Sequence, residues 1–270
     1  MFCASTTSIV SGALTERIKL WPFLVYVIIL VVVIYPIQAS WKWGGGFLND
    51  MGFQDFTSST FVHSVSGWAA LTGAIFFSLR LGEYKGGKVN PMPGSNLALA
   101  TLGIFILWLS WFGFNSCSQL YMDTSGSVAD ISSIFSNTNT VAAAGAVAAL
   151  TLTPSLIQST MIGTVSGIIV VFAMPMLDRM KIDYVVDAIS VHLFAGIWGT
   201  LAVYFTNSAA TFSVQLTSTL IVGAFVTVTT AFVWLVLKAT AGLRVSEEVE
   251  IMSLGRNRLG VEAYPEFSGS

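Results

Sequence analysis

Charge is what this sequence has least of. Charged residues make up 10% of the chain, 12 Lys and Arg against 14 Asp and Glu, where a soluble domain carries roughly 25%. Hydrophobic residues reach 54%, and the mean hydropathy is +0.76. A balance of this kind excludes an ordinary soluble domain and describes a polytopic membrane protein. At about twenty residues per crossing, one bundle of seven or eight helices fits better than two soluble domains. No basic stripe exists, so nothing points to a nucleic-acid partner. The two cysteines, Cys3 and Cys117, both lie in apolar context and read as buried free thiols with no disulfide. Met1-Phe2 runs straight into small and hydroxyl residues without a basic stretch, so a cleavable signal peptide is not expected.

What is present is a series of long apolar runs. Residues 1–14 are apolar but too short to span, read as the second half of a helix, and end at the charged cap Glu16-Arg17-Ile18-Lys19. Full spans are expected at Trp21–Ala39, with a Pro36 kink, at Phe56–Leu79, Leu97–Gly113, Thr138–Thr153, Leu156–Leu177, Val185–Phe205 and Phe212–Leu237. Trp41 and Trp43 form an interfacial belt before Gly44-Gly45-Gly46, and Trp108, Trp111, Phe112 and Phe114 form an aromatic run. Residues 115–136, rich in Ser and Asp and free of Lys and Arg, read as an outer loop. By the positive-inside rule the Arg17/Lys19 cap and the Arg80, Lys85, Lys88 loop are cytoplasmic. Arg179 and Lys181 look cytoplasmic too, yet only three spans separate them from Arg80. The expected explanation is a crossing missing near Thr151–Ser155. Taken literally, the odd count would invert the His192 helix and keep the two histidines apart. The division is then 1–243, a membrane domain, and 244–270, a soluble cytoplasmic tail.

The only two histidines, His63 and His192, both sit inside such spans. An ionisable group within the membrane is costly unless it faces a cavity or a partner, so each is a functional-site candidate. A neutral imidazole has one donor and one acceptor, so two along a path can bond each other and still offer an acceptor to a small N–H species. Two facing histidines could also ligate a haem, but there is no basic pair for propionates and no second histidine pair. Trp43 and Asp55 flank the outer mouth of the His63 helix, where a belt aromatic and a helix N-terminal carboxylate are the plain readings. Together they could recruit a small cation, the indole face contributing about 0.5–2 kcal/mol. Phe2 and Phe114 could close a constriction or simply pack.

Five stretches, GGGFLNDMGFQDFTSSTFVHSVSGWAAL, NPMPGSNLALATLGIFILWLSWFGFNSCSQ, FSNTNTVAAA, VHLFAGIWGTLAV and GLRVSEE with AYPEF, resemble in this order the ammonium transporter (Amt/Mep/Rh) family. The resemblance runs from Phe2 to Phe267. It implies an all-α polytopic membrane protein, an ammonium-transporter-like bundle, incomplete at about seven full spans plus a half helix. The implied function is transport of ammonium, with methylammonium as an analogue, and not an enzymatic reaction. Trp43, Ser118 and Trp111 would belong to the external recruitment site, with Phe2 and Phe114 as a stacked gate beneath it. His63 and His192 would be the paired pore histidines, and Asp55 and Asp187 structural carboxylates near the site. A homotrimer in the plasma (inner) membrane, a cytoplasmic C-terminus and a P-II type signal protein as possible partner follow, with no cofactor and no metal. Family members begin about two and a half helices earlier, have three crossings between Asn137 and Met174, and in many cases carry Gly where Leu193 stands. SLGRNRLG replaces their usual acidic tail sequence. Two other outcomes remain open, a non-conducting ammonium receptor on the same scaffold and an inactive truncated member.

Overall fold

The computed structural model describes residues 2–85, 88–90, 92, 96–143, 155–183 and 185–251. Hydrocarbon supplies no water to the backbone, so each apolar run must satisfy its own N–H and C=O groups, and it does so as a helix. Helix α1, Phe2–Leu14, is short, and among the described residues six longer helices are long and apolar enough to cross a membrane. These are α2 (Leu20–Ser40), α3 (Ser59–Phe77), α4 (Leu97–Gln119), α6 (Leu156–Arg179), α7 (Ile189–Thr206) and α8 (Phe212–Thr240). Helix α5, Ser125–Ala143, lies between α4 and α6. The protein is thus an all-α, multi-pass membrane bundle.

Helix α3 is the centre. It packs against α1, α7 and α8, while α6 leans on α7 and α5 links α6 to α4. Burial follows that order: 78% of the apolar window of α3 is inside the bundle, against 6% of that of α4. A large buried apolar cluster joins α2, α3 and α8. There Tyr26 stacks on Trp234 at 3.9 Å between ring centroids, and Phe77 meets the same indole edge-on at 5.3 Å.

Pro36 acts as expected, with the local form now visible. It cannot donate to the carbonyl four residues back, and the preceding turn, Leu30–Ile34, widens into a π-helix in which the Tyr35 N–H reaches Leu30 O.

Three expectations need correction. Residues 115–136 are not an open loop, because helix α5 begins at Ser125. Its hydroxyls bond within the helix: Ser132 Oγ donates to Val128 O at 3.0 Å and Ser133 Oγ to Ala129 O at 3.1 Å. The expected span Thr138–Thr153 is therefore the end of α5 as far as Ala143, and the rest of it, with most of the Thr151–Ser155 joint, lies outside the described residues. Arg17 is not an interfacial cap but wholly buried, for the reason given below. Cys117 is exposed and Cys3 half-buried, so neither thiol sits in the core; Cys117 falls in a short 3-10 turn, Cys117–Gln119, at the end of the largely exposed α4.

The start of the tail is docked rather than detached. Residues 243–245 run antiparallel to 17–19, with Lys19 N–H donating to Leu243 O and Val245 N–H to Arg17 O.

Candidate functional site

The site is built on the first turn of α3. Ser58 adopts a left-handed backbone (φ 75°), which turns the chain so that the first N–H groups of the helix face Asp55. Asp55 Oδ1 accepts from Ser59 N–H at 2.9 Å, and Oδ2 from Thr60 and Phe61 N–H at 3.0 Å each. The carboxylate is buried. Burial pushes its pKa up to about 6, opposed by these backbone donors. With its oxygens engaged in this way, Asp55 caps the first turn of the helix.

Immediately afterwards the helix widens: Ser59–Ser64 is π-helical, and Ser58 O accepts from both Val62 and His63 N–H at 3.1 Å. The wide turn presents His63 on the side facing α7. There a second π-helical turn, Ile189–Phe194, presents His192. The two Nδ1 atoms are 3.0 Å apart and the ring planes lie within 6° of parallel. The rings therefore meet, where the literal crossing count would keep them apart. One Nδ1 carries a hydrogen and donates, while the other accepts, so the pair is one Nδ1–H tautomer against one Nε2–H tautomer. The outer Nε2 atoms are left as one acceptor and one donor.

On the Asp55 side of the rings lies an aromatic layer. Phe114 is 6.0 Å from the His63 ring, and Phe2 meets Phe114 at 4.6 Å with planes 72° apart. The two phenylalanines are edge-to-face, where the resemblance implied a stacked pair. Trp43 lies 5.6 Å from Phe2 and 5.0 Å from Phe61, and its Nε1–H donates to Asp55 O at 3.1 Å. At 40% exposure the indole can still offer surface outward. Trp111 packs with Phe2 and Cys3 against the buried cluster of Tyr35, Ala39, Val62 and Phe114, which makes it a wall of this layer. Ser118 is half-buried, and its Oγ is shielded with no hydrogen-bond partner among the described residues.

Asp187 stands apart. It has a left-handed backbone (φ 53°) and its carboxylate makes no hydrogen bond among the described residues, and burial together with the Asp178 charge raises its pKa. The carboxylate that organises this end is Asp183, which the sequence reading passed over. It pairs with Arg17, accepts from Arg80 Nε at 3.0 and 3.1 Å and from Arg80 N–H at 2.6 Å, and its own carbonyl takes Arg17 Nη2 at 2.8 Å. Arg17 also donates to Ser78 O at 2.8 Å and Ala13 O at 3.1 Å. That is how a guanidinium can be wholly buried: most of its hydrogens have an acceptor.

A hydroxyl network behind His63 was also missed. Thr60 and Thr200 hydroxyls are 2.6 Å apart, and Thr200 Oγ1 donates to Gly196 O at 3.1 Å. Each hydroxyl has one hydrogen, so Thr60 donates to Thr200. Gln215 clasps the same region, its Nε2 donating to Gln54 O and Thr200 O and its Oε1 accepting from Gln54 N–H. The one sequence signal was an excess of Thr and Gln at interior helix positions.

The family model described as Ammonium Transporter Family matches residues 1–154 and 152–264, two stretches that meet at the joint where the charge count fails to close. The ammonium transporter Amt2 of Archaeoglobus fulgidus is 35% identical over 327 residues, 99% of this chain and 69% of its own length. An ammonium transporter of Aquifex aeolicus is 33% identical over 304 residues, 97% of this chain and 69% of its own. Among solved structures, one described as a Sensor Amt Protein superimposes with a TM-score of 0.87 at 29% identity, covering 93% of this chain and 73% of that one.

Proposed function

From the premise that this chain belongs to the ammonium transporter family, we propose that it moves ammonium across a membrane by separating ammonia from its proton. The observation that carries this reading is the histidine pair, Nδ1 to Nδ1 at 3.0 Å, lying beneath the Phe2–Phe114 layer. A bare cation in hydrocarbon costs tens of kcal/mol by Born estimates, whereas an indole face returns only about 0.5–2 kcal/mol. The ion does not pass the apolar layer intact. Trp43, held by Asp55 O, and Ser118 recruit it at the mouth, and desolvation there favours loss of a proton from a cationic acid. Neutral ammonia then crosses between Phe2 and Phe114. The proton moves separately: an outer Nε2 accepts it, the shared Nδ1 hydrogen passes to the partner ring, and the far Nε2 releases its own. Two protonated rings cannot face each other at 3.0 Å, so the pair carries one charge at a time.

This scheme selects against potassium, which has no proton to give up. In the same reading the protein works as a homotrimer in the plasma membrane with its tail in the cytoplasm, where a P-II type signal protein can dock. The test is charge-coupled uptake of ammonium and methylammonium by the full chain in proteoliposomes. His63→Ala and His192→Ala are each expected to abolish selective current; unchanged selective currents in both variants would defeat the proposal.

A second reading, a non-conducting ammonium receptor, is favoured by the likeness to the protein described as a Sensor Amt Protein. Saturable ammonium binding without flux in the same liposomes selects it.

A further inference from the structure

The two histidine turns share a pattern beyond the histidine itself. Each histidine is followed four residues later by glycine, in HSVSG (residues 63–67) and HLFAG (residues 192–196). In the fold the two glycines are used reciprocally. A Cβ built on Gly67 would lie 2.5 Å from the N, Cα and Cβ of Leu193, the residue after His192. A Cβ built on Gly196 would lie 2.9 Å from Ser59 O and from the N of Ser64, the residue after His63, and 3.3 Å from the Cβ of His63. Each glycine thus receives the backbone next to the opposite histidine.

These contacts differ in kind from those of the neighbouring glycines. At Gly73, also on α3, an added Cβ would meet the tip of the Leu14 side chain, and at Gly223 the indole ring of Trp68. A side-chain tip can rotate away, but a backbone cannot. We infer that Gly67 and Gly196 are positioning residues that set the separation of the two imidazoles, so that the pair shares a single hydrogen. Any consequence for transport rests on the function proposed above, whereas the geometric assignment does not.

The displacement can be sized. Ordinary van der Waals contact at a Cβ begins near 3.4 Å. Gly67→Ala therefore has to move Leu193 away by about 1 Å, carrying its chain neighbour His192 with it, and the Nδ1 separation grows from 3.0 Å to about 4 Å, beyond hydrogen-bond reach. Gly196→Ala needs about half that shift and leaves a stretched, weakened bond. The expected order of severity is Gly67 before Gly196.

Because the chain has two histidines, selective 15N-histidine labelling reports this bond alone. The full chain is reconstituted in lipid bilayers and its ring nitrogens are read by solid-state NMR, together with methylammonium flux in the same vesicles. The unaltered protein should give one protonated and one unprotonated Nδ1, with a coupling between them through the hydrogen bond. Gly67→Ala should lose that coupling, Gly196→Ala should reduce it, and Gly73→Ala should keep it. An undiminished coupling in Gly67→Ala, or a loss in Gly73→Ala, overturns the inference. If Gly67→Ala does not fold, Gly196→Ala decides, and an undiminished coupling there overturns it as well. Failure of both to fold would assign the glycines to assembly of the bundle and likewise overturn it. Loss of coupling with undiminished flux upholds the positioning role and defeats instead the proton path assigned to the pair.

Discussion

Replacing Asp183 by Asn tests whether the buried charge cluster holds α1, α3 and the approach to α7 together. Among the described residues the carboxylate accepts from Arg17 Nη1, Arg80 Nε and the Arg80 N–H. An amide keeps one oxygen but turns an NH2 toward guanidinium hydrogens, and it removes the charge that balances Arg17. The Arg17 guanidinium stays pinned by Ser78 O, Ala13 O and Asp183 O, so it cannot leave for water. Stranding a buried charge in this way costs about 3–5 kcal/mol, a large part of the roughly 5–15 kcal/mol that holds a typical protein folded. At about 2–4 °C per kcal/mol for a chain of this size, the melting temperature should fall by roughly 6–20 °C. The assay is thermal loss of the monodisperse peak of detergent-solubilised protein. Asp187→Asn, the same chemical change four residues along, should stay within about 0.5 kcal/mol, because the Asp187 carboxylate makes no hydrogen bond among the described residues and Asn tolerates its left-handed backbone. Adding Arg17→Met to Asp183→Asn should recover part of the loss, since the stranded charge is then gone. The reasoning is refuted if Asp183→Asn melts within 2 °C of the parent, roughly a 1 kcal/mol effect, or if Asp187→Asn falls as far.

Asp55→Asn should leave folding nearly intact, because Asn caps a helix about as well as Asp. Asp55→Ala strands three buried N–H groups and should cost about 3 kcal/mol or more, read as the same melting shift; equal melting of the two variants would remove the capping role. Glu83, at the charge cluster with its Oε1 3.4 Å from Arg80 Nη2, has its pKa raised from 4.5 to about 8 by burial and by the neighbouring Asp183 carboxylate. The folded state therefore keeps a proton that the unfolded chain has already released, so this contribution is whole below pH 4.5 and drains as pH rises toward 8. Melting temperature should fall across that window and the fall should flatten in Glu83→Gln; an unchanged slope in the variant would show that Glu83 is not the titrating group.

What was legible in the sequence was what depends on near neighbours. His63 and His192 stand out because each interrupts an apolar run, and Asp55 because it precedes the hydroxyl-rich start of its helix by four residues, the reach of a capping side chain. The spans α2, α3, α4, α6, α7 and α8 follow from apolar length alone. Helix α5 did not, since Ser and Thr count as loop formers in composition, while in place their hydroxyls return to the carbonyl one turn back. Reading such a segment correctly needs to know that the hydroxyl has no better partner.

The misreading of Arg17 and the passing over of Asp183 have one physical source. Rules for membrane sequences treat a charge as a marker of where a span meets water, and that holds only when water is the best partner on offer. Arg17 finds a better one 166 residues away, and no local pattern distinguishes Asp183 from Asp187, two aspartates four residues apart before the same helix. The same separation hides Thr60–Thr200, 140 residues apart, and the Gly67–Leu193 crossing. All three are joints between the chain before α4 and the chain from Asp183 onward. The histidine pair is a fourth joint of that kind, 129 residues apart, and it was legible only because histidine is costly enough in an apolar span to demand a partner. Legibility thus tracked the penalty of being unpaired more than the strength of the pairing: a lone imidazole announces its need, while a glycine that must stay empty announces nothing.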